Sequence, residues 1–168
     1  PWEFRVNGNT IDIYNLPQKD NPVLNYKQRG SLIAHGALIE NIVIASTEFS
    51  FCAIVTPFPD RSNDNLTARI ILSPQQVPRS PLIEAISERH TNRRLYEAAP
   101  LTNFERDALE SAISSFRYLD LSLTLIEDSK SKWLLASASS SIEEVVLENR
   151  RLHDLFFTQS FFRYLPVC

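Results

Sequence analysis

The strongest candidate for chemistry in this 168-residue chain is a short cationic stretch, Arg89-His90-Thr91-Asn92-Arg93-Arg94. Two guanidinium groups and a hydroxyl within five residues suit a phosphate or a carboxylate, because arginine donates paired hydrogen bonds and stays charged at any relevant pH. A structural interpretation is also open, in which Arg89 neutralises the end of a preceding helix and Arg93 and Arg94 are solvated. Residue chemistry alone favours this structural interpretation.

Other candidate sites have weaker support in the sequence. The three glycines are scattered, which excludes a phosphate-binding glycine-rich loop and a dinucleotide fingerprint. His35 and His153 have no further ligands at metal-binding spacing, so both are interpreted as structural. Cys52 and Cys168 are the only cysteines, which argues against a disulfide framework or a thiolate metal site. Cys52 is interpreted as a small core residue of a strand.

Hydrophobic periodicity predicts the strands and the long helix of the N-terminal half. Alternating apolar side chains predict a β-hairpin whose turn is at Asn7-Gly8. Apolar positions three to four residues apart predict a buried helix over Ser31–Ser50. A short run of β-favouring residues predicts a strand at Phe51–Thr56, and further alternation predicts strands at Leu66–Leu72 and Leu119–Leu125.

Capping signals predict the remaining helices. Ser80-Pro81 is typical of a helix start and predicts a helix over Pro81–His90. Thr102 and Glu105 form a capping box that opens a helix through Ser115, and Ser141-Ile142-Glu143-Glu144 forms a second box after a short helix over Lys130–Ser139. Helices and strands follow one another without a strict alternation. The predicted fold class is therefore α+β, with a mainly antiparallel central sheet flanked by helices.

Composition limits the partners and the compartment. The formal net charge is −3 and the basic residues are scattered, so neither nucleic acid nor a membrane surface is an expected partner. The apolar runs are short, and the low cysteine content fits a reducing compartment, so a soluble cytoplasmic protein is expected. The chain contains no methionine and begins at Pro1, which indicates a fragment of a longer protein.

Three motifs resemble those of flavin-dependent nitroreductases. Arg89, His90, Thr91 and Arg93, followed by Tyr96, match the Arg-[Arg/His]-[Ser/Thr]-x-[Arg/Lys] motif of that family. The opening Pro-Trp-Glu-Phe is similar to the family's Gln-Pro-Trp-x-Phe segment, and the sequence from Gly36 to Asn41 is similar to its Gly-Ala-x-x-x-Asn helix. The Thr-Asn-Arg-Arg-Leu-Tyr form most resembles the Acg-like branch, in which two halves are fused in one chain.

The resemblance implies a nitroreductase-like fold, with one domain over 1–168 in which 1–79 ends a first half and 80–168 begins a second. It implies flavin mononucleotide (FMN) as cofactor, its phosphate held by Arg89, Thr91 and Arg93, with His90 a weaker contact and Trp2 in a flavin-binding segment. The implied activity transfers hydride from NAD(P)H to a nitroaromatic or quinone acceptor. A homodimer or an intramolecular pseudo-dimer is the implied assembly.

Two alternatives remain open at the level of sequence. The family's Ser-x-x-Asn-x-Gln-Pro-Trp loop is missing before Leu119, which favours a protein that binds or sequesters flavin without turnover. The aromatic segment Phe156 to Tyr164 would instead suit a protein-interaction domain without a cofactor. No catalytic acid or nucleophile is expected from the resemblance, because the flavin ring performs the hydride chemistry.

Overall fold

The structure, a computed structural model, describes residues 2–20, 25–91, 94–95, 99–114 and 121–157. The chain divides into two compact units, Pro1–Asn92 and Arg93–Cys168. The first unit contains all four strands and two helices, in the order β1 (Trp2–Asn7), β2 (Thr10–Asn15), α1 (Arg29–Glu48), β3 (Phe51–Pro57), β4 (Leu66–Pro74) and α2 (Ile83–Glu88). The second unit contains the helices α3 (Asn103–Ser114), α4 (Ser129–Glu148) and α5 (Arg150–Phe157).

The four strands form one antiparallel sheet in the order β1-β2-β4-β3. The predicted hairpin is confirmed, and the pairing of Asn7 with Thr10 leaves Gly8 and Asn9 as its two loop residues. Gly8 has a φ of +55°, which a residue with a Cβ adopts only at a cost. The turn therefore lies one residue later than predicted. The coarse fold class, α+β with an antiparallel sheet, is confirmed.

Helix α1 packs against β3 and β4 and covers one face of the sheet. Ile13, Ala68 and Ile70 are fully buried beneath it, and Leu38, Ile39 and Ile42 of the helix pack against them. These positions alternate along each strand and recur every three to four residues along the helix, so one apolar face of each element meets the other.

The prediction that α1 is buried on a broad surface is wrong in extent. Ile33 is 76% exposed and Phe49 is 72% exposed, whereas the fully enclosed face includes the polar residues Ser31, His35 and Ser46. The apolar content of α1 predicted more burial than the structure shows, because several aliphatic residues of α1 lie on the face turned away from the sheet.

By length and composition alone, the helical segment Tyr26–Glu48 could cross a membrane, with a mean hydropathy of 1.2. The mostly buried core helix of a soluble protein and a signal sequence near the N-terminus satisfy the same criteria, and this segment is 17% buried. Its contacts with β3 and β4 are those of a helix that covers a sheet.

A left-handed residue ends α1. Phe49 is the C-cap, and Ser50 follows with a φ of +58° before β3 begins at Phe51. Glycine is favoured at this position after a helix because it has no Cβ to clash with the backbone.

The second unit confirms one capping box and corrects the other. The Thr102 amide donates to the Glu105 carboxylate at 2.8 Å and the Glu105 amide donates to the Thr102 hydroxyl at 3.2 Å, as predicted for the start of α3. Ser141, predicted to start a helix, lies inside the continuous helix α4, where its hydroxyl donates to the Ser137 carbonyl at 3.1 Å. Serine makes this bond within helices as well as capping bonds at their starts.

The boundaries of α4 depend on residues that the sequence analysis did not single out. The Asp128 carboxylate accepts from the Ser131 amide at 2.8 Å and caps the start of α4. Asn149 separates α4 from α5, and its side-chain oxygen accepts from the amides of Arg151 and Leu152. Aspartate and asparagine are favoured at helix starts for this reason.

The predicted strand Leu119–Leu125 is wrong over its described part. Residues 121–125 form no strand, and Leu121 and Leu123 are 47% and 38% exposed. Residues 119 and 120 lie outside the described ranges. Alternation places side chains on two faces, but a strand also needs a neighbour to pair with, and none of the described strands pairs with this segment.

Candidate functional site

The cationic stretch follows directly from α2. This helix is shorter than the predicted Pro81–His90, because Pro81 and Leu82 form a turn and regular helix begins at Ile83. Arg89 is the C-cap, with an extended backbone (φ −63°, ψ 123°) and an amide that donates to the Ala85 carbonyl at 2.9 Å. The chain therefore leaves the helix at the first residue of the motif.

Arg89, His90 and Thr91 are all exposed. Among the described residues, no carboxylate lies within ion-pair distance of the Arg89 guanidinium. His90 Nδ1 lies 3.0 Å from the Glu88 carbonyl oxygen, and a carbonyl only accepts, so Nδ1 carries the proton of this bond. The Arg89 guanidinium and the Thr91 hydroxyl are thus accessible to an anion, while one nitrogen of His90 is already engaged.

The rest of the predicted motif lies partly outside the described residues. Arg93 and Tyr96 fall in the gaps, and Arg94 is described as exposed. The structure therefore places three of the four motif residues, and these three are consecutive in the chain.

Trp2 belongs to a different cluster from Arg89. It begins the edge strand β1, pairs with Asn15 of β2 and is 43% exposed. Its ring meets the imidazole of His35 edge-on, with centroids 5.9 Å apart and planes at 85°. One side of the indole is therefore occupied by the protein, and the exposed part is available for a flat ligand.

His35 is the most enclosed polar side chain of α1, at 1% exposure. Its Nδ1 lies 2.7 Å from the Thr67 hydroxyl, and that hydroxyl lies 3.0 Å from the Ile13 carbonyl oxygen. The carbonyl must accept, so the threonine hydroxyl donates to it and accepts from a protonated Nδ1. This chain of bonds joins α1, β4 and β2, as expected of a structural histidine.

A buried polar cluster at the start of α1 was not anticipated from the sequence. The side-chain oxygen of Asn25 accepts from the amide of Gly30 at 2.8 Å and from that of Ser31, and its amide nitrogen donates to Asp20 and to the Ser31 hydroxyl. The Ser31 hydroxyl also donates to the Asp20 carboxylate. An asparagine shortly before a helix is a capping signal that could have revealed this cluster.

The outer face of the sheet carries a charged ladder. Arg69 donates two hydrogen bonds to the Asp12 carboxylate, both at 2.7 Å, and these bonds hold the pKa of Asp12 below its ordinary value. The Arg5 guanidinium lies 4.3 Å from the centre of the Tyr14 ring. Both arginines are engaged within the fold, unlike Arg89.

The site can bind an anion but has no metal-binding set. The described residues contain no group of three or more His, Cys, Asp or Glu side chains placed to hold a metal ion. Cys52, predicted to be a small core residue, lies in β3 and is partly buried as a free thiol. Exposed guanidinium and hydroxyl groups at Arg89 and Thr91 suit a phosphate better than a metal ion or a nucleophilic reaction.

No protein-family model matches the sequence, and a comparison with curated proteins found no match. The function of this chain is therefore inferred from the motif residues and their positions.

Proposed function

We propose that this chain is part of a nitroreductase-like flavoprotein of the Acg-like type, which binds FMN. The supporting observation is the geometry of Arg89, His90 and Thr91, which leave α2 on an extended backbone with exposed side chains. The Arg89 guanidinium has no carboxylate partner among the described residues, so its charge is available to a phosphate.

Each motif residue has a role in this proposal. Arg89 and Arg93 hold the phosphate end of FMN, and the Thr91 hydroxyl donates a further hydrogen bond to it. His90 contributes less, because its Nδ1 is bonded to the carbonyl of Glu88. Trp2 offers the exposed part of its indole to the flavin. The bound flavin would supply the hydride chemistry, from NAD(P)H to a nitroaromatic or quinone acceptor.

The finer fold assignment is also part of the proposal. A four-stranded antiparallel sheet covered by a long helix is compatible with a nitroreductase-like fold. The left-handed φ of Ser50 lies in the segment Glu48–Phe51, where the family often has a glycine, and it supports the alignment of α1 with the family's Gly-Ala-x-x-x-Asn helix. The proposal includes a cytoplasmic location and a homodimer or pseudo-dimer, as the resemblance implies.

A flavin titration tests the proposal directly. FMN fluorescence is followed as the chain is added, and riboflavin, which lacks the phosphate, is titrated in parallel. We expect FMN to be quenched at lower protein concentration than riboflavin, because only FMN presents a phosphate to Arg89. Indistinguishable curves, or no quenching of either flavin, would contradict the proposed phosphate site.

A turnover assay separates a reductase from a protein that only binds flavin. The FMN-loaded chain is mixed with NADH or NADPH and a quinone or nitroaromatic acceptor, and nicotinamide absorbance is followed. Oxidation that depends on the acceptor supports the reductase. Flavin binding without oxidation would support the sequestering protein.

A second candidate is a protein-interaction domain without a cofactor. The side chains from Phe156 to Tyr164, on which the sequence based it, lie outside the described residues, and exposed apolar side chains of α4 favour it instead. Trp133, Leu134 and Leu135 are 66%, 52% and 55% exposed. Aromatic and aliphatic side chains exposed together are typical of protein contacts. This candidate predicts no flavin absorbance and an oligomeric state that changes when Trp133 is replaced by serine.

A further inference from the structure

We propose that Arg79 is a positioning residue for the phosphate-binding stretch. Its ion pairs connect α2 to the end of α1, and they thereby fix the position at which Arg89 and Thr91 leave the helix. This inference rests on the proposed function, and it concerns a residue outside the motif. We call the group formed by Arg79, Glu48 and Glu84 the clasp.

The clasp joins two helices through one guanidinium. Arg79 Nε donates to the carboxylate of Glu48, the last residue of α1. Its Nη2 donates to Glu84 Oε1 at 2.8 Å, in the first turn of α2. Arginine can do this because its donors point in fixed, different directions from one planar group. The two carboxylates are thereby held on either side of the same side chain.

Two hydrogen bonds donated by backbone amides attach the segment that carries Arg79 to the end of α1. The Ser80 amide donates to the Thr47 hydroxyl of α1 at 2.9 Å. The Gln75 amide donates to the Ser50 carbonyl at 3.1 Å, just beyond the end of the same helix. The segment that leads into α2 is thus attached to the C-terminal end of α1 at both of its ends.

Anchoring matters because α2 has only six residues. A helix of this length is not stable by itself, since few backbone bonds offset the cost of starting it. Glu84 lies near its start and Arg89 is its C-cap. The direction in which the motif leaves α2 is therefore set by what holds the helix, and Arg79 holds its first turn.

The clasp is suited to orientation more than to overall stability. The side chains of Arg79, Glu48 and Glu84 are 48%, 42% and 57% exposed. Exposed ion pairs contribute little to folding because water screens them. Arg79 nevertheless lowers the pKa of Glu84, so this carboxylate is ionised at neutral pH and the clasp is closed there. Breaking the clasp should thus change the position of the phosphate-binding stretch without unfolding the first unit.

The decisive variant is Glu48→Gln combined with Glu84→Gln, because it breaks the clasp while keeping Arg79. If charge alone governed affinity, removing two negative charges near the motif would tighten FMN binding. Positioning predicts the opposite, a loss of about fivefold in FMN affinity, the size expected for an exposed ion-pair network. Riboflavin affinity and the urea midpoint without flavin should be unchanged.

Arg79→Gln should resemble the double variant, and Arg79→Lys should recover part of the affinity.

Amide hydrogen exchange gives a readout that needs no flavin. Exchange of residues 83–89 in the flavin-free chain should become faster in the double variant, because α2 loses its anchor. Arg5→Gln is the matched control: it breaks the exposed pair of Arg5 with Glu3 on β1 and should change neither exchange in α2 nor FMN affinity.

The outcomes separate the two proposals. If the unaltered chain binds FMN and the double variant binds it equally well or more tightly, the positioning role of Arg79 is overturned and the proposed function is not. Unchanged exchange over residues 83–89 would overturn it too. Absence of FMN binding by the unaltered chain would overturn the proposed function and the positioning role with it.

Discussion

At the residue scale, the exposed side chain of Arg89 fits both the structural and the functional interpretation of the cationic stretch. The sequence alone favoured a charge that neutralises a helix end. In the structure Arg89 does occupy the C-cap of α2, but its backbone is already extended. Arg5, Arg69, Arg79 and Arg106 each pair with a carboxylate, and Arg89 pairs with none among the described residues. Arg61 is likewise exposed with no carboxylate partner among the described residues, so an external anion as the partner of Arg89 stays a prediction.

Arg89→Ala and Arg93→Ala should each weaken FMN by about ten- to a hundredfold, as expected when one charged hydrogen bond to a phosphate is lost. Riboflavin affinity should change much less, because riboflavin has no phosphate. Paired titrations of both flavins measure the effect, with Arg61→Ala as a control at an exposed arginine in the loop before β4. Equal weakening of both flavins would refute the phosphate assignment.

Thr67 is a second residue whose role depends on its partners. Thr67→Val keeps the shape but leaves His35 Nδ1 and the Ile13 carbonyl without their shared partner. Because these groups are buried, we expect the free energy of unfolding to fall by about 1–3 kcal/mol. Urea denaturation measures it, and Thr56→Val, an exposed threonine of β3, is the control. A loss no larger than that of the control would show that the network contributes little.

At the element scale, the predicted ends of the helices differ from the structure more than the predicted interiors do. The central part of α1 and the box that opens α3 were predicted correctly, because their apolar spacing and capping chemistry are local. The box at Ser141 had the correct residues for a helix start and yet lies inside α4. Local signals cannot show whether a preceding helix continues through them.

The left-handed end of α1 allows a stabilising substitution. Ser50→Gly should raise the free energy of unfolding by about 1 kcal/mol, because glycine adopts the φ of +58° without the clash of a Cβ. Ser50→Ala keeps the Cβ and should give no gain, so it serves as the matched control. Thermal unfolding of both variants tests this, and equal melting temperatures would contradict it.

At the scale of the whole molecule, ionised carboxylates bonded in the fold make stability depend on pH. Hydrogen bonds from Arg69 lower the pKa of Asp12, and hydrogen bonds from Arg106 lower that of Glu127. The amide and hydroxyl of Thr102 lower the pKa of Glu105, and the Ser131 amide lowers that of Asp128. These carboxylates belong to both units.

The sign of the pH effect follows from these lowered pKa values. In acid the unfolded chain binds protons first, so the stabilisation is complete above the unfolded values, about 4. It is lost as pH falls through the lower folded values. The urea midpoint should therefore decrease as the pH falls from about 5 to about 3. Asp12→Asn should reduce this dependence, and a midpoint that rises on acidification would contradict the assignment.

The sequence by itself determined the N-terminal hairpin, the long helix α1, the capping box of α3 and the location of the cationic motif. These depend on spacing and on chemistry between near neighbours, which the order of residues contains. Tertiary structure decided which polar residues of α1 face the sheet, that residues 121–125 have no strand partner within the described part of the chain, and that Arg79 bridges Glu48 and Glu84. Those outcomes depend on contacts between residues distant in the chain, and no local pattern encodes such contacts.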